Sequence, residues 1–370
     1  VEHGARAVAN VGVDEAFWRG RRVLLTGHTG FKGAWLSLWL ARLGAHVTGV
    51  ANRVPTTPSL YVEARVAELV EDVDADVRDP DALRRAVAEH RPEIVLHMAA
   101  QSLVRRSFRD PRETYETNVM GTVNVLEAVR EAGGVRAVVN VTSDKCYDNR
   151  HQRRPFVEDD AKGGDDPYSS SKGCAELVTD AYLRSFFAAE PDGPRLGSAR
   201  AGNVIGGGDW SEDRLIPDIM RAAVTRSVIP IRNPDAVRPW QHVLNPLSGY
   251  LELAQALVGS PDAAGGWNFG PGDEAVRPVS WIVERLTELW PEELRWQVDD
   301  GPHPHEAAYL ALDSTKARER LGWTPGWELE QALASIVDWY GLVRDGADMR
   351  RVTLEQIESF QGSPSTLPRA

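Results

Sequence analysis

Hydrophobic positions in the first half of the chain follow two alternating rhythms. Short apolar runs suited to buried strands are "RRVLLTG", "AHVTGVA", "VEDVDADV", "EIVLHMAA", "VRAVVNVTS" and "RLGSARAGNVIG". Between them lie longer segments whose apolar residues recur at helical spacing, among them "GAWLSLWLARLG", "DALRRAVAEH", "ETNVMGTVNVLEAVREAG" and "YSSSKGCAELVTDAYLRSFF". Strand and helix in strict alternation predict an α/β fold, a Rossmann-type doubly wound parallel sheet of six strands with right-handed crossovers. Trp35 and Trp39 share one helix face with Leu36 and Leu40, a pattern of core packing rather than ligand contact.

After Gly206 the rhythm breaks into pieces rich in Gly, Pro and Trp, "GGGDW", "IRNPDAVRPW" and "GPGDEAVRP", which suit a smaller, mixed C-terminal lobe. The helix pattern "PLSGYLELAQALV" is expected to pack back on the first domain. The expected division is residues 1–205 as the dinucleotide-binding domain, with 240–270 returning to it, residues 206–239 and 271–355 as the second lobe, and 356–370 as a flexible tail.

The formal charge of −12 argues against a nucleic-acid or anionic-membrane binder, because both need clustered excess Lys and Arg. Any phosphate must therefore be held locally. Cys146 and Cys174 have no metal-ligand spacing and form no dense disulfide framework, so reduced thiols are expected. No apolar leader opens the chain and no stretch of ~18 apolar residues follows, which predicts a cytoplasmic protein. The "HPHE" cluster at His303–Glu306 has no established metal geometry, and no metal is expected.

"TGHTGFKG" places Gly27, Gly30 and Gly33 between the first strand and its helix. Glycines there let backbone approach a pyrophosphate, and the helix N-terminus offers it free N–H groups. A triplet by itself can be an ordinary tight turn; the alternation behind it favours the cofactor reading. The acid that usually ends the second strand of such sites is missing, since "GVANR" puts Ala51, Asn52 and Arg53 there. Arg53 is either a contact to a 2′-phosphate or a solvated charge, and NAD is expected over NADP. Asp76 and Val77, closing the third strand, are candidates to flank the adenine.

Two further groups carry chemistry. Tyr168 and Lys172 stand four apart on one helix face, where the ammonium would stabilise a phenolate and make the tyrosine a base. Ser143, Asp144 and Lys145 lie together at the end of the fifth strand, an arrangement that could otherwise be a solvent-facing charge pair in a turn.

Together "TGHTGFKGAWLSLWL", "AAQSLVRRS", "TNVMGTVNVLEA", "TSDKCY", "DPYSSSKGCAEL" and "NPDAVRPWQHV" resemble the extended short-chain dehydrogenase/reductases that act on nucleotide sugars, nearest to the 4,6-dehydratases of CDP-glucose. The likeness spans about residues 17–323. It implies cofactor contacts from Thr29, Phe31, Ala99, Ala100, Gln101, Tyr168 and Lys172. It implies that Tyr168 takes the sugar 4-hydroxyl proton while hydride passes from carbon 4 to NAD, with Ser143 positioning that hydroxyl. Asp144 would be the acid at the carbon 6 hydroxyl. Lys145 occupies the place of the carbon 5 base, a glutamate in dehydratases of dTDP-glucose and GDP-mannose, and acts as a base or orients a water or the sugar. Asn203, Arg232, Arg238 and His305 would face the nucleotide sugar. A homodimer through two helices is implied as well. The alternatives are another nucleotide-sugar dehydratase or a 4-epimerase, or a non-catalytic NAD(P)-binding protein, whose relatives often lose the Tyr or Lys retained here.

Overall fold

Alternate residues of each central strand point to opposite faces of one sheet, and both faces are apolar. In a computed structural model, which describes residues 12–149, 154–190, 193–299, 301 and 309–362, β1 (Arg22–Thr26), β2 (His46–Ala51), β3 (Glu71–Asp74), β4 (Ile94–His97), β5 (Ala137–Val141) and β6 (Arg195–Arg200) form this sheet. Leu25, Leu96 and Val139 join the large core on one side, and Leu24, Val95 and Val138 the smaller core on the other. Burial on both faces is what a parallel sheet with helical crossovers requires.

The sheet has seven strands rather than six, in the order Gly265–Asn268, β6, β5, β4, β1, β2, β3. Every neighbouring pair is parallel, with Val23 opposite both Val47 and Ile94. The added strand, "GGWN", lacks β-branched residues, so local preference does not announce it. Its place follows from the helix Leu244–Gly259, which packs across β5 and β6 and returns the chain beside β6. Strand order turns around between β1 and β4, and a cleft opens at their C-terminal ends.

The long helix expected from "ETNVMGTVNVLEAVREAG" is interrupted. Pro111–Tyr115 and Gly121–Ala132 are joined by a π-helical turn, Glu116–Met120, that buries Asn118. The smaller lobe is built on short strand pairs, including Val237–Pro239 antiparallel to Val276–Pro278 and Ile229–Ile231 parallel to Trp296–Val298.

Residues 356–362 correct the expected tail. They complete the helix Met349–Gly362, whose Ile357 and Phe360 are buried, and Phe360 meets Trp39 and Trp327 edge-on with ring centres 5.6 Å apart in both pairs. Helical spacing of Val352, Ile357 and Phe360 could have revealed this apolar face. Replacing Phe360 with Ala should therefore lower the unfolding free energy by about 3 kcal/mol, read as a shift in the denaturant midpoint. An unchanged midpoint would show that this helix contributes nothing to the fold.

Candidate active site

Gly27 ends the first turn with φ +75°, and a side chain at either of two cradle glycines would collide with backbone. A Cβ on Gly27 would stand 2.8 Å from Ala99 Cα, and one on Gly33 only 2.1 Å from the Gly27 carbonyl oxygen. The helix Phe31–Arg42 starts after Gly30 with no side-chain cap, so its first N–H groups face the cleft. Such a cradle fits a dinucleotide pyrophosphate. Thr29 Oγ1 donates to the Arg53 carbonyl at 2.7 Å and ties the turn to the end of β2.

Beside it, where β2 ends without an acid, Asn52 reaches across to the carboxylate that follows β3. Asn52 Nδ2 donates to Asp76 Oδ2 at 2.7 Å, and hydrogen bonds from Arg78 hold the Asp76 carboxyl below the usual range. Arg53 lines the cleft and reaches Glu113 at 3.1 Å, but that carboxylate is shared with Arg106, which holds both of its oxygens at 2.8–2.9 Å. Val77, Ala99 and Ala100 line the same cleft. Gln101 lies in its wall, but its side-chain amide is engaged inward by Leu103 and Thr114, which makes it a brace more than a free contact.

The cleft, about 1380 Å³, continues past Ser143, Asp144, Lys145, Tyr168 and Lys172, so the chain brings both candidate groups together. Ser143 caps the short turn Asp144–Cys146; its Oγ accepts from Lys145 N at 3.2 Å and donates to Asp144 Oδ1 at 2.9 Å. Asp144 is not a solvent-facing partner of Lys145, being 1 % exposed. Burial raises its pKa against the pull of Lys145, Ser143 and Arg238, and its Oδ2 has no hydrogen-bond partner among the described residues. Gly202 makes the space: a Cβ there would lie 1.7 Å from Asp144 Oδ2.

Tyr168 and Lys172 are both buried on the helix Pro167–Ser185. Burial pushes the Tyr168 phenol up to about 12, with Ser143 and Arg214 drawing it down. Burial also lowers Lys172 to about 8, opposed chiefly by Glu176. The downward pull on the phenol thus comes from Ser143 and Arg214, not from Lys172, whose Nζ donates to the Val141 carbonyl at 3.3 Å.

Several cleft residues escaped the sequence reading. Lys32, inside the glycine turn, is half-buried and lowered to about 7 by desolvation and by Lys172 and Arg214, and it donates to Tyr250 Oη at 2.9 Å. Arg214 pairs with Asp209 at 3.1 Å, and nothing in the surrounding "EDRLIPD" marks it. Asn118 bridges the Gln101 backbone and Ser171 Oγ, a role that only the π turn creates.

On the substrate side Asn203, at φ +45°, and Arg238, 5 % exposed, line the cleft. Arg232 lies at the far end and pairs with Asp213 at 3.0 Å. His305 and the rest of the "HPHE" cluster lie outside the described residues.

Residues 24–336 match the family described as GDP-mannose 4,6 dehydratase. The chain belongs to that family. It is 51 % identical to the CDP-glucose 4,6-dehydratase of Salmonella typhimurium strain LT2, over 95 % of this chain and 99 % of that protein. Its fold is also that of the UDP-glucose 4-epimerase of Thermotoga maritima, with TM-score 0.75, 22 % identity and coverage of 87 % and 99 % of the two chains. The dTDP-glucose 4,6-dehydratase of Streptomyces venezuelae, solved with NAD bound, superposes with TM-score 0.73 at 24 % identity over 88 % and 98 %. In this family setting the cradle, the Ser143 turn and the Tyr168 helix occupy one continuous cleft.

The raised Asp144 has a consequence for stability. A carboxyl whose folded pKa exceeds its unfolded value keeps its proton longer when folded, so stability declines as pH rises past the unfolded pKa, and the loss is complete above the folded pKa. Asp144→Asn should accordingly melt at a higher temperature than the parent at about pH 8, with the difference vanishing near pH 4. A thermal scan at both values checks this, and a lower melting temperature at the higher pH would contradict the burial argument.

Proposed function

We propose that this chain is an NAD-dependent CDP-glucose 4,6-dehydratase, converting CDP-D-glucose to CDP-4-dehydro-6-deoxy-D-glucose and water. The observation that carries the reading is the buried Asp144, its carboxyl raised by burial and its Oδ2 uncommitted beside Ser143 in the Tyr168 cleft. A 4-epimerase needs only a reversible oxidation at carbon 4; loss of water needs an added acid, and Asp144 is one. The 51 % identity to the Salmonella dehydratase supports CDP-glucose over other nucleotide hexoses.

NAD, when bound, accepts hydride from carbon 4 and returns it to carbon 6. Gly27, Thr29, Gly30, Phe31 and Gly33 hold its pyrophosphate side, and Asn52, Asp76 and Val77 its adenosine end. Tyr168 takes the 4-hydroxyl proton, and Ser143 orients that hydroxyl. Asp144, protonated, gives its proton to the leaving carbon 6 oxygen. The carbon 5 proton, acidified by the neighbouring ketone, passes to neutral Lys145 or to a water that it orients, and returns to carbon 5 as carbon 6 receives hydride, so the sugar loses only water. Asn203, Arg238 and Arg232 hold the sugar nucleotide along the cleft.

The chain acts as a cytoplasmic homodimer in this reading. Phe108, Tyr115, Met120 and Leu177 stay exposed along the segments 104–120 and Pro167–Ser185, apolar side chains that a second copy would cover.

Incubation with CDP-glucose, dTDP-glucose, UDP-glucose and GDP-mannose should give a 4-keto-6-deoxy product, detected by its alkaline absorbance, from CDP-glucose foremost. No product from any of them would sink the proposal. Tyr168→Phe should abolish oxidation, whereas Asp144→Asn should still oxidise carbon 4 but lose water about 10²–10⁴ times more slowly. Solvent-proton exchange at carbon 5 that survives in Lys145→Ala would remove the base role from that lysine.

A further inference from the structure

Glu176 takes no part in the chemistry above, yet it is fully buried two turns along the helix from Tyr168 and one turn from Lys172. Its two carboxylate oxygens are engaged from two different strands. Thr142 Oγ1, immediately before Ser143, donates to Oε1; from β6, Ser198 Oγ donates to Oε2 at 2.7 Å and Arg200 Nη2 at 2.5 Å. Arg200 in turn donates to Tyr147 Oη at 2.7 Å, and Tyr147 to Asn268 Oδ1 at 2.7 Å. Asn268 Nδ2 donates onward to the carbonyls of Phe156 and Asp313.

We propose that Glu176 is a positioning residue for the dehydration, clamping the strand end that carries Ser143 and Asp144 to the helix that carries Tyr168 and Lys172. This rests on the activity proposed above. The clamp matters because proton transfer among these groups depends on ångström-scale placement, and a displacement of about 1 Å can reduce rate a hundredfold. A buried ion pair is weak evidence for stability, since apolar replacements of similar volume are often neutral. Its place here, joining the two halves of the catalytic set, points to geometry and charge.

Glu176 also acts on Lys172 through charge. It is the foremost group opposing the desolvation of that lysine, and so keeps the ammonium charged to higher pH. The titratable and charged groups facing this pair are Arg200 on β6, Cys146 and Tyr147 on the turn after β5, Lys162 in the following loop, His97 on β4 and Lys32 in the glycine turn. Without the carboxylate, Lys172 releases its proton at lower pH.

The test uses the full chain as wild type, Glu176→Asp, and the pair Glu176→Gln with Arg200→Met, which removes both charges and leaves no unpaired guanidinium. Competitive acetylation of Lys172 across pH, read by mass spectrometry, needs no substrate. Its half-point should fall by at least about one pH unit in the double variant and stay near wild type in Glu176→Asp. Turnover of CDP-glucose by the double variant should drop at least about thirtyfold with KM changed less than about threefold, its alkaline limb moving to lower pH by the same amount. An unmoved half-point overturns the proposal even if turnover falls, because a purely structural pin would change stability and not the titration. A half-point that shifts in the double variant while the wild-type chain turns over none of the nucleotide hexoses would sink the activity reading and leave the effect on Lys172 standing.

Discussion

Desolvation at the C-terminal edge of the sheet sets the chemistry of this chain. One dry pocket raises Asp144, pushes Tyr168 up to about 12 and lowers Lys172 to about 8 and Lys32 to about 7. Burial disfavours whichever form is charged, so acids keep protons and amines release them. Carboxyl and amine are thereby brought toward the range where each can exchange a proton near neutral pH. The surrounding charges then adjust each group separately: Arg214 and Ser143 act on the phenol, Glu176 on Lys172, Lys145 and Arg238 on Asp144.

That pocket exists because backbone is allowed to come close at particular places. Gly33 lets the first helix begin against the Gly27 carbonyl, and Gly202 leaves the volume that the Asp144 carboxyl fills. The first contact builds a surface for a pyrophosphate, and the second admits an acid where a dehydrogenase fold otherwise needs none. The cradle and the seat of the Asp144 carboxyl thus rest on separate absences of a side chain along the same cleft.

The second lobe is held to the first by polar as well as apolar contacts. Tyr147 and Asn268 carry the Arg200 network to Phe156 and Asp313, while Trp39, Trp327 and Phe360 pack the C-terminal helix against the first crossover helix. The lobes meet over a shared core, so Arg232 and Arg238 lie along the cleft at places that the sheet helps to define.

Alternating rhythm, the glycine triplet and the four-residue spacing of Tyr168 and Lys172 are properties of neighbouring residues, so the chain alone determined the doubly wound sheet, the cradle and the helix face of the base. The family likeness of "TSDKCY" likewise marked Ser143, Asp144 and Lys145 as a group. Only the tertiary structure decided what depends on residues far apart in sequence. The seventh strand of weak β-propensity is placed by the helix before it, Asp76 meets Asn52 across the ends of neighbouring strands, and Asn118 turns inward through a π turn. The upward shift of the Asp144 carboxyl belongs to the same class, because desolvation is a sum over every atom packed around a carboxyl and local sequence does not contain it.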